Sequence, residues 1–424
     1  MDILIIIAFI ILFALGFPVA VAIALPSIVY VLAMGFPFEL VCHRMMYALD
    51  SFPLVAIPVF ILVGNLMNSA GISRRIFAFA GTAVGRFPGG LAQVNIFASL
   101  IFSGISGAAL ADLGGLGKIE IEAMRKGGFT NEFSGAVTAA SAIVGPIFPP
   151  SIPLIIYGSV MSVSIIKLLI GGILPAIVCV ILLMLVTTGV AMVRNLPRSE
   201  RWPTFSEIMN NFWPALPALL APAFLVFGML SGYFTPTEAG SVTVVYVLVV
   251  SSTLYKELTW KHLVKAFMDT VSMTAAILLI LSASALFGWI LAVEGLPQAV
   301  SKTILTFSSE PWMILILVNI ILLVAGMFLD ATTSILLIIP IIAGPVGMAG
   351  VDPVHLGLIA VFNLMLGLIT PPLGYALFLV SKMADTTIGG LLKALGPYYL
   401  PLFATLGLIT FVPWISLWLP GLLK

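Results

Sequence analysis

Apolar residues fill this chain in runs of bilayer length, and the interruptions fall in two similar patterns. The runs 166–193 and 391–423, each with one lysine near its start, are long enough to cross roughly 30 Å of hydrocarbon as helices. Two other stretches, 93–116 and 312–344, are apolar but broken near their centres by SGISGAALAD and GMFLDATTS. Each predicts two short helices joined at a tip of small residues: re-entrant hairpins over about 93–126 and 312–347. Behind each comes an apolar segment cut by glycine and proline, GPIFPPS at 145–151 and GLITPP at 367–372. These predict broken helices over about 131–160 and 354–381. The alternating pattern of a membrane β-barrel is absent.

The two patterns share one offset. Gly145, Pro149 and Pro150 align with Gly367, Pro371 and Pro372 at a spacing of 222, and SGISGAA at 103–109 falls on AGMFLDAT at 325–332. Segments 52–70 and 168–193 map near 274–292 and 390–413 in the same order. Two homologous halves are expected, 1–212 and 213–424. Mixed-polarity segments at 41–49, 73–86, 260–269 and 297–307 read as interfacial helices bracing the bilayer surface, the first pairing with the third and the second with the fourth.

Composition and charge sharpen this. Of 424 residues 61% are hydrophobic and 8% charged, too few charges to cover a soluble surface. With the N-terminus outside and five crossings per half, Arg44, Lys167, Lys302 and Lys424 lie outside. The other fourteen of the 18 Lys and Arg residues lie inside: Arg74, Arg75, Arg86, Lys118, Arg125, Lys126, Arg194, Arg198, Arg201, Lys256, Lys261, Lys265, Lys382 and Lys393. That bias fixes the orientation, and an odd number of crossings inverts the second half. The N-terminal run carries Asp2 and no basic cluster, so a retained helix is expected rather than a cleaved signal. The net charge of +1 gives no footprint for nucleic acid. Cys42 and Cys179 have no metal or redox spacing and read as small hydrophobes. Residues 114–119, GGLGKI, lack the glycine spacing and the hydroxyl residue of a phosphate-binding loop.

Broken backbone at membrane depth is tolerated where it lines a site. Freed carbonyls can hold Na+, and half-helix N-termini can face an anion. At the tips, Ser103, Ser106, Thr332, Thr333 and Ser334 offer hydroxyls. Asp112 and Asp330 are carboxylates in apolar sequence, which makes them functional candidates. Asp330 reads equally as an N-cap or a ligand contact. Asp112, nearer Lys118, reads as a structural cap or pairing, and 119–126 as a peripheral amphipathic turn. A competing reading is an intramembrane serine protease built on Gly104-Ile105-Ser106-Gly107. It needs a histidine base, and His43, His262 and His355 all fall at predicted helix ends.

The strings SGISGAALADLGGLG, GPIFPPSIPLIIYG, GMFLDATTSILLIIPI and GLITPPLGYALFLVS resemble the large membrane (M) subunit of tripartite ATP-independent periplasmic (TRAP) transporters, of the ion-transporter superfamily. The resemblance spans essentially the whole chain. It implies an all-α polytopic protein of the bacterial inner membrane: two inverted repeats, each with a re-entrant hairpin and a broken helix, arranged as a scaffold and an elevator-type transport domain. It implies uptake of a small organic anion, an acidic sugar such as sialic acid or a C4-dicarboxylate. Na+ is the coupling ion, with no transition metal and no enzymatic step. A periplasmic substrate-binding (P) protein and a separate small membrane (Q) subunit are the implied partners. One Na+ site would join Ser103 and Ser106 to Gly145, Ile147 and Pro149. A second would join Gly326 and Thr332 to Gly367 and Thr370. Ser151, Asp330 and Ser334 are the candidate substrate contacts. The alternative is a stand-alone Na+/carboxylate symporter that needs no binding protein.

Overall fold

Helix starts in this chain are set by short polar side chains. Thr130, Ser151, Ser164, Thr235, Thr259, Asp330, Asp352 and Thr387 each accept a hydrogen bond from a first-turn amide of the helix they precede. Several ends are set by left-handed residues, among them Gly107, Ser162, Asn195 and Asp385. The computed structural model describes residues 2–69, 71–197, 203–307 and 310–423. Among them there are helices and no strand. Arg198, Arg201 and Lys424 of the charge reading lie outside the described residues.

The first half opens with α1 (Asp2–Ala14), α2 (Val19–Ala33), α3 (Glu39–Tyr47), α4 (Ala56–Ser69) and α5 (Ile72–Val84). The first hairpin follows as α6 (Leu91–Ser106) and a return limb of α7 (Ala109–Asp112), a π-turn over Leu113–Gly117 and α8 (Lys118–Lys126). The first broken helix is α9 (Asn131–Ser141) and α10 (Ile152–Met161), followed by α11 (Ile165–Gly171) and α12 (Ile173–Arg194). Next come α13 (Phe205–Leu230), α14 (Pro236–Val249), α15 (Trp260–Val293) and α16 (Leu296–Phe307). The second hairpin is α17 (Pro311–Phe328) with α18 (Ala331–Met348), and the second broken helix is α19 (Pro353–Gly367) with α20 (Tyr375–Ala384). The described chain closes with α21 (Ile388–Phe411) and α22 (Pro413–Gly421).

Shifted by 222 positions, α16 to α20 fall on α5 to α10 in order, and α21 on α11–α12. The packing repeats too, with partners exchanged: α10 lies against α18, and α20 lies against α8 and α9. The division at 212/213 cuts through α13, which runs unbroken across it. The expected surface helix at 260–269 is also different. It is the first part of the continuous 34-residue α15, whereas α3 and α4 are bent by 65°. The bend spans Asp50-Ser51-Phe52-Pro53, and alanine stands at 275 where the first half has Pro53.

By length and composition, seven helices among the described residues can cross a membrane, or eight with the bent α3–α4 pair counted as one. Ten crossings were expected. Two of the counted helices, α17 and α18, are limbs of the second hairpin, while α1, α2 and the separate pieces of the broken helices, at 10 to 15 residues, reach only about 15 to 22 Å. Both proximal pieces sit at the centre of the molecule. Every residue of 133–141 and of 354–367 is buried, so neither stretch has a face turned to solvent, and their few polar side chains point into the protein.

At the periphery, Arg75 on α5 bonds Glu257 at 2.7 Å and lies 3.9 Å over the Tyr255 ring. The two side chains are 25% and 37% exposed, so solvent screens the pair. Arg75→Met should cost about 1 kcal/mol. The melting midpoint in detergent should drop by about 2 °C; no shift would mean that the pair adds nothing to stability.

Candidate functional site

The first tip is built by a glycine. Gly107 takes φ +64 and turns the chain from α6 into α7, and a Cβ there would strike the Pro150 carbonyl oxygen. Its own carbonyl accepts the Ile152 amide at 3.2 Å, so the tip is fastened to the first residue of α10. The second tip repeats this. The Gly374 amide donates to the Met327 carbonyl at 3.1 Å, and position 374 is 152 shifted by 222. Each hairpin is therefore latched by main-chain hydrogen bonding to the break behind it.

Polar groups gather beside each latch. In the first half, Ser106 donates to one carboxylate oxygen of Asp112. The other oxygen, Oδ2, is buried without a hydrogen-bond partner and faces Gly145, where any Cβ would collide with it. Ser103 is buried and donates to the Ser99 carbonyl at 2.5 Å. Pro149 is buried, with a cis peptide bond to Pro150. The Ile147 carbonyl lies against Gly172, on the α11–α12 side of the break. Ser151 is committed locally: it caps α10 by accepting from Leu154 N at 3.2 Å and donates to the Pro146 carbonyl.

In the second half, Gly326 and Gly367 meet backbone to backbone, with Gly367 Cβ space closed by Gly326 main-chain atoms at 2.5 to 2.9 Å. Thr370 donates to Leu366 O at 2.7 Å. Asp330 is the N-cap of α18, accepting from the Thr333 amide at 3.2 Å and from its hydroxyl at 2.5 Å. Thr332 is half-buried beside it. Ser334 is fully buried and its hydroxyl has no hydrogen-bond partner. It stands at the position of Asp112 shifted by 222. The second break is open where the first is closed: Leu373 and Tyr375 are exposed, whereas Gly145–Ser151 is almost wholly buried. Capping alone predicts that Asp330→Ala costs about 1 kcal/mol while Asp330→Asn costs almost nothing. Uptake by the Asn variant at the wild-type rate would confine Asp330 to the cap; a loss would make its charge functional.

Sequence reasoning read Asp112 as a structural cap or pairing, because Lys118 lies near it in the chain. Lys118 is exposed, and the carboxylate turns inward. It also passed over a crevice of about 470 Å³ between α10, α15 and α18, lined by Ser51, Ser159, Ser162 and Ser284 among others. The hydroxyls of Ser159 and Ser284 are buried there without partners. Isolated serines in apolar helices give no signal of that convergence. Ser106 of the protease motif bonds Asp112, while His355 bonds the Ile409 carbonyl, His262 bonds Glu257 O and His43 stacks on Tyr47.

Paired hairpins, paired breaks and buried unpartnered oxygens are what a carrier of ions and solutes needs. A family model described as "Tripartite ATP-independent periplasmic transporter, DctM component" matches residues 6–415. The chain belongs to the DctM family of TRAP transporters. Similar to this DctM chain is the "Sialic acid TRAP transporter large permease protein SiaM" of Vibrio cholerae, 40% identical over 413 residues, 96% of this chain and 95% of that one. The "C4-dicarboxylate TRAP transporter large permease protein DctM" of Pseudomonas aeruginosa is 34% identical, covering 88% of this chain and 87% of that one. Among solved structures, the YdaH transporter of Alcanivorax borkumensis matches with a TM-score of 0.64 at 17% identity, over 90% of this chain and 89% of that one. That is a likeness of fold. As a DctM-family chain with these spans, the protein is a multi-pass protein of the bacterial inner membrane.

Proposed function

We propose that this DctM chain carries out Na+-coupled uptake of a small organic anion by an elevator motion, with its two halves inverted in the membrane. The observation behind this reading is the pair of buried, unpartnered oxygens, Asp112 Oδ2 and Ser334 Oγ, at matching positions beside two latched tips. A buried oxygen without a partner costs roughly 1–3 kcal/mol, more when charged. Two at equivalent points imply an occupant, and Na+ suits oxygen-rich, broken-helix sites.

The anion is an acidic sugar such as sialic acid, or a C4-dicarboxylate. Relatives named for both support that range, and the hydroxyl-lined crevice suits a polyhydroxylated acid in size. The half-helix N-termini at Ile152 and Tyr375 supply partial positive charge for a carboxylate. A periplasmic binding protein delivers the anion, and a small membrane subunit completes the scaffold. Na+ at both tips favours closure over the anion, and the loaded hairpins and broken helices then move against the arms.

The test is uptake of radiolabelled sialic acid, then of C4-dicarboxylates, into proteoliposomes holding this chain with its small partner. Uptake should require an inward Na+ gradient and the binding protein together. Uptake with Na+ alone would replace this reading with the stand-alone symporter. Uptake indifferent to Na+ would remove the coupling ion.

A further inference from the structure

The return limb of the first hairpin contains a π-turn, and its effect is positional. Asp112 and Glu120 lie eight residues apart on either side of Leu113–Gly117. In an uninterrupted α-helix they would sit about 80° apart around the axis. One residue absorbed by a π-turn reduces this to about 20° and brings both carboxylates onto one face. Three glycines, Gly114, Gly115 and Gly117, make up most of the turn, and Gly117 lets Thr138 of α9 come within 3.0 Å of where its Cβ would be.

Both acids are buried, Asp112 at 3% and Glu120 at 1% exposure. Among the described residues neither has a basic partner: Lys118, Arg125 and Lys126 on the same limb are exposed. They face a file of polar residues instead. Asn95, Ser99, Ser103 and Ser106 recur at helical spacing along α6. Asn95 donates to Thr138 at 2.7 Å, Ser141 donates to Asn95 at 2.8 Å and Ser99 to Ser141 at 3.0 Å. The loosest link is Ser99 to Glu120, at 3.5 Å. A polar seam thus runs from the inner end of the hairpin to its tip, where Asp112 Oδ2 has no partner.

The second hairpin has a shorter polar contact and no carboxylate in it: Asn363 of α19, at the position of Ser141 shifted by 222, donates to Asn319 of α17, which donates to Thr410. At the 222 offset, Asn95, Ser99, Ser103 and Glu120 are replaced by Leu317, Ile321, Ala325 and Ile342. A hairpin of this shape therefore packs without a carboxylate within its return limb, so Glu120 is not a requirement of the fold. A carboxylate buried in a membrane protein without a cation beside it is expensive and marks a functional position.

We propose that the seam between α6, the return limb and α9 holds a further monovalent cation, Na+, with Glu120 as its charged ligand and Ser99, Ser141 and Asn95 as neutral ones. It lies inward of the tip site and is present in the first hairpin alone. This rests on the Na+ coupling proposed above and adds a stop for the ion on the inner side of that site.

Equilibrium binding of radioactive Na+ to the full chain in nanodiscs tests it without any transport. Glu120→Gln should bind one Na+ fewer per chain than wild type, and Glu120→Asp should keep the number with weaker affinity. Equal binding by wild type and Glu120→Gln would overturn the inference alone; that is the result expected if Glu120 simply carries a proton. Wild type binding no Na+ would overturn the coupling reading as well. Should Glu120→Gln fail to fold, Ser99→Ala with Ser141→Ala keeps the charge and removes two ligands. The affinity of one site should then fall at least 5-fold, and an unchanged isotherm would overturn the inference.

Discussion

Replacing Gly367 with alanine will cut uptake at least 10-fold. The added Cβ would stand 2.5 Å from the Gly326 carbonyl carbon, 2.6 Å from its Cα and 2.9 Å from its oxygen. All three are main-chain atoms, so no side-chain rotation relieves the contact. The helices α17 and α19 must separate, at an overpacking cost of about 1–3 kcal/mol. The larger effect is positional. Gly326 stands at the end of α17, beside the second tip, and a misplacement of about 1 Å at a working site can cost about 100-fold. Initial uptake rates in proteoliposomes, at equal reconstituted amounts, should fall at least 10-fold. Gly396→Ala is the control, since nothing lies within 4 Å of its Cβ position. Equal rates for Gly367→Ala and Gly396→Ala would mean that close approach of the two backbones is dispensable.

The second large effect is expected at Asp112. Asparagine keeps an oxygen for the Ser106 hydroxyl, so the local hydrogen bond and the fold should survive. What disappears is the negative charge facing Gly145. If that charge holds the coupling ion, the Na+ concentration for half-maximal uptake should rise at least 10-fold, and uptake at ordinary Na+ should fall by a larger factor than for Ser334→Ala. The serine change removes only a neutral hydroxyl with no partner to lose. An unchanged Na+ dependence in Asp112→Asn, with normal expression, would exclude the carboxylate as a ligand and leave it a positioning role.

Much of the architecture was legible because membrane helices are written in long apolar runs and their interruptions in glycine and proline. The tips near Gly107 and Leu329 and the breaks after Gly145 and Gly367 fall where the sequence places them. Less legible were features set by tertiary packing. Nothing in IEIEAMRK says that Glu120 faces inward, since the π-turn ahead of it resets which side is buried. Likewise, nothing in GPIFPPS says that the Ser151 hydroxyl caps α10. Continuity of α15 was hidden because a polar stretch of helical length reads alike whether it lies on the surface or extends a membrane helix. What marked the difference was the absence of a proline.

The latches have a consequence for how such a carrier changes over time. Gly107 with Ile152, and Met327 with Gly374, are joined through amide and carbonyl groups that almost every amino acid possesses. Substitution can therefore redraw the side chains around each tip while leaving its main-chain fastening standing. Innovation is cheap in the side chains, and the hinge-like fastening of each tip is inherited in the main chain.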